Sequence, residues 1–150
     1  QGYQIIHKDA YEFLIGDNQK HEIIFSDLGV TRRRAESPSD LFSLCSLIGI
    51  RLQAKHLKTN GVLVSTFIAR LSGADGLFIH RYFRRFKQVF LTCYLFSDYL
   101  HMPDRMQLHV ILATHKKCNI HEQYEKLIHS PLLVHDVNLY TTLLGRLHKI

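Results

Sequence analysis

The ten residues from Lys58 to Phe67 (Lys-Thr-Asn-Gly-Val-Leu-Val-Ser-Thr-Phe) constrain the fold most, because they lie between two apolar helical patterns. Asn60-Gly61 reads as a polar turn that stops the first helix, and Val62 to Ile68 as a near-continuous, β-rich apolar run. A strand of that kind is buried on both faces, as in parallel sheets whose crossovers carry helices. Upstream, His21 to Gly29 (His-Glu-Ile-Ile-Phe-Ser-Asp-Leu-Gly) is a second apolar strand that ends on an acid and a glycine. An acid at the carboxyl end of a parallel strand stands where open α/β sheets place their ligands.

Around this centre the chain falls into alternating elements. Tyr3 to His7 reads as a short strand, and Ala10 to Ile15 as a short helix with Asp9 as its N-cap. Thr31-Arg32-Arg33-Arg34 is a basic loop. A helix is expected from Ser37-Pro38-Ser39-Asp40 to about His56, with Leu41, Leu44, Ile48 and Leu52 on its buried face. Beyond the loop Ser72 to Gly76, a helix begins near Leu77 and carries Arg81, Arg84, Arg85 and Lys87 among Tyr82, Phe83 and Phe86. Aromatic residues interleaved in this way are core contacts more often than base-stacking platforms, so the arginines are expected in solvent and the rings in the core. Gln88 to Phe96 and Gln107 to Thr114 read as strands joined around Pro103-Asp104. A connection without a helix implies one antiparallel strand near the edge of an otherwise parallel sheet. The domain expected from these elements spans residues 1–117, and residues 118–150 form a helical C-terminal extension.

The chain is 150 residues long with a formal charge of +6 and eleven histidines. That length suits one domain with a real core, and the basic balance favours a polyanionic partner. Cys45, Cys93 and Cys118 are odd in number and irregularly spaced, which disfavours a disulfide framework and fits a reducing compartment. No apolar run approaches the roughly 20 residues needed to span a bilayer, and Gln-Gly-Tyr-Gln-Ile-Ile lacks the charged start of an export signal. A cytoplasmic protein without membrane contact is expected. His115, Cys118 and His121 lack the paired spacing of known zinc sites, so no metal is expected. There is no Gly-x-Ser-x-Gly, no Walker loop and no Cys/His pairing for nucleophilic catalysis, which removes hydrolases and P-loop enzymes from contention.

The order strand, helix, strand ending in Asp27, helix, Lys58-Thr59-Asn60-Gly61 strand, helix and antiparallel strand pair resembles the second two-thirds of a Rossmann-like S-adenosylmethionine methyltransferase. The local likeness is to the FtsJ-like 2′-O-methyltransferases of RNA, including the cap-methylating domains of non-segmented negative-strand virus polymerase proteins. The resemblance covers about Tyr3 to Lys117. It implies that Asp9 lies near the adenine of the cofactor, that Asp27 is the central catalytic acid, and that Leu57 to Val64 is the Leu-Lys-x-Gly-Gly strand of the family. It also implies a viral protein engaged in mRNA capping, with RNA and other domains or subunits of a larger protein as partners.

Two departures qualify that expectation. The family uses a Lys-Asp-Lys-Glu tetrad, in which a lysine of lowered pKa activates the ribose 2′-hydroxyl. Here Thr66 stands at the place of the second lysine and Gln107 at that of the glutamate, and neither can take a proton near neutral pH. The glycine-rich loop that holds the methionine end of the cofactor is absent, so S-adenosylmethionine binding is expected only with a further N-terminal part present. The chain alone is expected to be inactive, as part of a longer protein or as a domain that has discarded cofactor binding.

Each residue also has a plainer reading. Asp27 could be a turn residue at a strand end and Asp9 a simple N-cap. Arg32, Arg33 and Arg34 could line a phosphate-binding rim beside Asp27 or form a solvated charge run. Two functions remain in view: a methyltransferase-like enzyme domain, and a non-catalytic RNA- or protein-binding domain that keeps the fold.

Overall fold

A computed structural model of the chain describes residues 4–27, 44–119, 122 and 147–148. Along it follow α1 (Ala10–Gly16), β1 (His21–Asp27), α2 (Leu47–Lys55), β2 (Leu57–Ala69), α3 (Gly73–Lys87), β3 (Thr92–Ser97), β4 (Gln107–Thr114) and a two-residue β5 (Leu147–His148). The strands form one open mixed sheet in the order β1-β2-β4-β3-β5, which places the chain in the α/β class.

β1 and β2 are adjacent and parallel, with Ile23 opposite Val62 and Asp27 opposite Thr66. β4 runs antiparallel to both β2 and β3. β1, β2 and β3 therefore share one direction and β4 opposes them. Only the β1–β2 pair is parallel among the described strand pairs, so the expected mostly parallel sheet is corrected to a mixed one. Gln107 to Thr114 is the antiparallel strand near the edge, inserted between β2 and β3. Its composition explains this: Ile111 and Ala113 are buried on one face and Val110 and Leu112 half-buried on the other, a two-sided pattern that suits an interior strand.

Local chemistry fixes the helix ends. The Asp9 carboxylate accepts from the Glu12 N–H at 2.9 Å and starts α1, as its sequence position predicts. Residues 4–7 form no strand, and Ile5 and Ile6 are exposed, so that expectation is corrected. The Ser46 hydroxyl accepts from the Gly49 N–H at 3.0 Å and caps α2 at Leu47. The buried residues of α2 are Gly49, Ile50, Gln53 and Ala54, while Ile48 is exposed, so its buried face is rotated from the expected one. The arginine loop, and Leu41 with the start of the expected helix, lie outside the described residues.

Asn60-Gly61 is no turn, because β2 follows α2 after a single residue and runs through it. Between the pairs His21–Leu57 and Ile23–Val62 the register slips, and β2 bulges over Lys58 to Gly61. A Cβ on Gly61 would lie 3.0 Å from the carbonyl oxygens of both His21 and Lys58, which explains glycine at this close backbone approach. The strand expected from Gln88 starts only at Thr92. Val89 and Phe90 donate their N–H groups to the Phe86 carbonyl and prolong the end of α3. Of the expected helical extension, Leu147–His148 is strand β5, paired with β3; most of the remainder lies outside the described residues.

One face of the sheet carries the core. Leu63, Phe67, Leu95, Ile111 and Ala113 meet Ile50 and Ala54 of α2 and Ile79, Tyr82, Phe83 and Phe86 of α3, with Tyr11 and Leu14 of α1 alongside. Phe67 packs edge-on to Phe78 and Tyr82 at 6.4 and 5.6 Å, and Tyr82 shares a 3.0 Å hydrogen bond with Ser65. Tyr82, Phe83 and Phe86 are buried while Arg81 and Arg84 are exposed, as the interleaved pattern predicts; Arg85, also expected in solvent, is corrected to a half-buried position from which it donates to the Cys45 carbonyl. The opposite face, lined by Ile23, Phe25, Val62, Val64, Ile68, Leu108, Val110 and Leu112, meets none of these helices. Ile23 is 66% and Phe25 64% exposed.

Candidate functional site

Parallel pairing brings Asp27 and Thr66 side by side at the carboxyl ends of β1 and β2. The Thr66 hydroxyl donates to Asp27 Oδ1 at 2.8 Å. Thr66 is nearly buried and Asp27 is exposed, so the carboxylate keeps a second oxygen for solvent or a ligand. Across from Thr66 on β4 stands Val110. The site thus holds one acid and one hydroxyl on an apolar sheet face, and among the described strand residues no cation stands beside them.

Gln107 lies elsewhere. It pairs with Ala69 and points to the core face, the opposite side from Thr66, because β4 residues alternate. Its Oε1 accepts from the Tyr99 N–H at 2.8 Å and its Nε2 donates to the Met102 carbonyl at 3.3 Å. The side chain therefore folds the β3–β4 connection. Asp9 spends Oδ1 on the α1 cap. Arg32, Arg33 and Arg34 lie outside the described residues.

Among the described residues no Gly-x-Gly loop follows a strand, and Gly61 lies inside β2. Among the described residues no three His, Cys, Asp or Glu side chains are grouped to hold a metal ion. No helix among them is long and apolar enough to cross a membrane. Cys45, Cys93 and Cys118 are free thiols. Burial pushes Cys45 and Cys93 up to about 11, which keeps both protonated at neutral pH and removes them as nucleophiles.

Two polar clusters escaped the sequence reading. His109, fully buried, stacks on Phe67 at 5.0 Å, bonds Ser97 Oγ through Nδ1 at 2.7 Å and the Ala69 carbonyl through Nε2 at 3.1 Å. With Nε2 donating to a carbonyl, Nδ1 accepts from the serine. Burial lowers its pKa. A histidine alternating with apolar residues in Leu108 to Ala113 was the available signal. At the other end of the sheet Asp17 sits 3.4 Å from His21 Nε2 and 3.8 Å from His56 Nδ1. The backbone hydrogen bond from Gln19 and these histidines lower its pKa. Nearby, a groove of about 820 Å³ is lined by Lys20, Glu22, Lys58, Thr59 and Asn60, with Lys58 and Glu22 paired at 3.0 Å.

Neither the protein-family models nor the curated proteins contain a match to this chain.

Proposed function

We propose that the chain is an RNA-binding domain built on the sheet of an FtsJ-like S-adenosylmethionine-dependent RNA 2′-O-methyltransferase, without methyl-transfer chemistry of its own. The observation that carries this reading is the Asp27–Thr66 contact. An acid at the carboxyl end of a parallel strand, joined to its neighbour across the register, is the arrangement expected of the central acid of the family and the strand beside it. The shared direction of β1, β2 and β3, with β4 inserted against them, supports the same sheet. The hydroxyl of Thr66 cannot act as the general base, and Val110 and Gln107 offer no carboxylate to tune one.

With no base beside Asp27 among the described residues, the retained feature of use is the basic surface, and the +6 charge favours a polyanion. RNA is the polyanion that the resemblance implies. The test is anisotropy of a labelled single-stranded RNA titrated with the chain, alongside calorimetric titration of S-adenosylmethionine. Salt-sensitive RNA binding without cofactor binding is expected. Cofactor binding at micromolar levels with methyl transfer to capped RNA would instead support the enzyme.

A further inference from the structure

Among the described residues, positive charge is concentrated on one layer of the fold. α2 and α3 together carry six cations, Arg51, Lys55, Arg81, Arg84, Arg85 and Lys87, against a single acid, Asp75. Their net of +5 stands beside +6 for the whole chain. Because both helices bury their apolar sides against the same sheet face, their exposed sides form the outer surface of one layer. Arg51, Lys55, Arg81, Arg84 and Lys87 are all exposed there. Arg85 turns inward instead and donates to the Cys45 carbonyl at 2.8 Å, which ties α3 to the entry of α2 and fixes the two helices together.

Helix dipoles account for part of this pattern. Lys55, Arg84, Arg85 and Lys87 stand in last turns, where cations are favourable. Arg51 and Arg81 do not. They stand four residues before Lys55 and three before Arg84, spacings at which like charges repel on a helix. Arg51, Arg81 and Arg84 form no ion pair with a described acid. Arginines placed three and four residues from like charges, with no described acid paired to Arg51, Arg81 or Arg84, are complementary to a polyanion.

We propose that the outer surface of α2 and α3 binds the phosphate backbone of single-stranded RNA, a contact surface separate from the Asp27 end of the sheet. The choice of RNA rests on the function proposed above. Arginine at most of these positions supports phosphate in particular, since its planar fork binds two phosphate oxygens at once. A membrane surface fits less well, because a helix lying in a bilayer keeps its apolar face for lipid. α3 instead buries Ile79, Tyr82, Phe83 and Phe86 in the core, leaving Leu77, with Ile48 of α2, as the exposed large aliphatic residues of the two helices.

The test is anisotropy of a labelled oligouridine of about 15 nucleotides, a length within the range that single-strand sites cover, titrated with the full chain between about 50 and 200 mM salt. The quadruple change Arg51→Gln, Arg81→Gln, Arg84→Gln and Lys55→Gln should weaken binding at least about tenfold and reduce the salt slope by about 3, as the loss of four phosphate contacts requires. The corresponding Arg→Lys variant with Lys55 kept should retain most of the affinity, and an unchanged far-ultraviolet spectrum excludes misfolding. Triple replacement of Arg32, Arg33 and Arg34 by Ala separates the two claims. Loss of binding in that triple variant with wild-type binding in the quadruple one overturns the helical surface and leaves RNA binding standing. No RNA binding by the parent chain, or binding only to phosphatidylserine vesicles, overturns both.

Discussion

Thr66 donates its hydroxyl to Asp27 Oδ1 at 2.8 Å across a parallel register pair, so the one acid at the carboxyl end of β1 is met by a group without acid–base use near neutral pH. A lysine there would compensate the charge of Asp27; threonine only orients it. Since Asp27 is exposed, water can replace the hydroxyl. Thr66→Val should accordingly cost less than about 1 kcal/mol, read as a small shift in the urea midpoint, and leave RNA affinity unchanged. A large loss of stability would show that the pair holds the sheet together.

Asp9 is explained by capping, which predicts a ranking. Asn caps a helix about as well as Asp, whereas Ala costs about 1 kcal/mol. Asp9→Asn should therefore match the parent in thermal stability while Asp9→Ala melts lower. A ligand contact through the carboxylate would make the Asn variant as impaired as the Ala variant in binding.

The two sheet faces should respond differently to truncation. Phe67 is 1% exposed and contacts Phe78, Tyr82 and His109. Phe67→Ala should cost about 3–5 kcal/mol, a large share of the stability of a small domain. Phe25, on the opposite face, should change stability by less than about 0.5 kcal/mol when replaced by Ala. Equal losses in chemical denaturation would mean that the Phe25 face is covered.

His109 predicts a pH dependence. Burial lowers its folded pKa below the ordinary value of 6.5, so the unfolded chain binds this proton more readily. The stability it contributes is complete above about pH 6.5 and is lost as pH falls through that value toward the folded one. Urea midpoints measured from neutral to mildly acidic pH should fall, and His109→Gln should flatten the fall. Asp17 acts in a separate window: its lowered pKa contributes stability that is lost only as pH falls below about the ordinary carboxylate value of 3.8.

Patterns read along one strand were legible in the sequence, and relations between strands less so. Gln107 to Thr114 begins and ends where its apolar run does, and β1 fills most of the predicted His21 to Gly29 run, because alternation and turn residues are local signals. The parallel pairing of Ile23 to Ser26 with Val62 to Phe67 also follows from the helical crossover. The side on which Gln107 points depends on the β2–β4 register, which one strand does not reveal, and a shift by one residue changes faces. Asn60-Gly61 carries strong turn chemistry, yet the backbone approach of β1 requires glycine in a bulge. The Tyr3 to His7 run is apolar enough for a strand, but none of its described residues pairs with another strand.

The most direct test of the central claim is a methyl-transfer assay with radiolabelled S-adenosylmethionine and capped RNA, using the wild-type chain at a concentration that saturates RNA binding. Among the described residues no base stands beside Asp27, and removal of a positioned general base typically lowers rates by about 10² to 10⁴-fold. The account predicts RNA bound and no methyl transferred, with Thr66→Lys equally silent. Transfer by the wild-type chain that disappears in Asp27→Ala would contradict it.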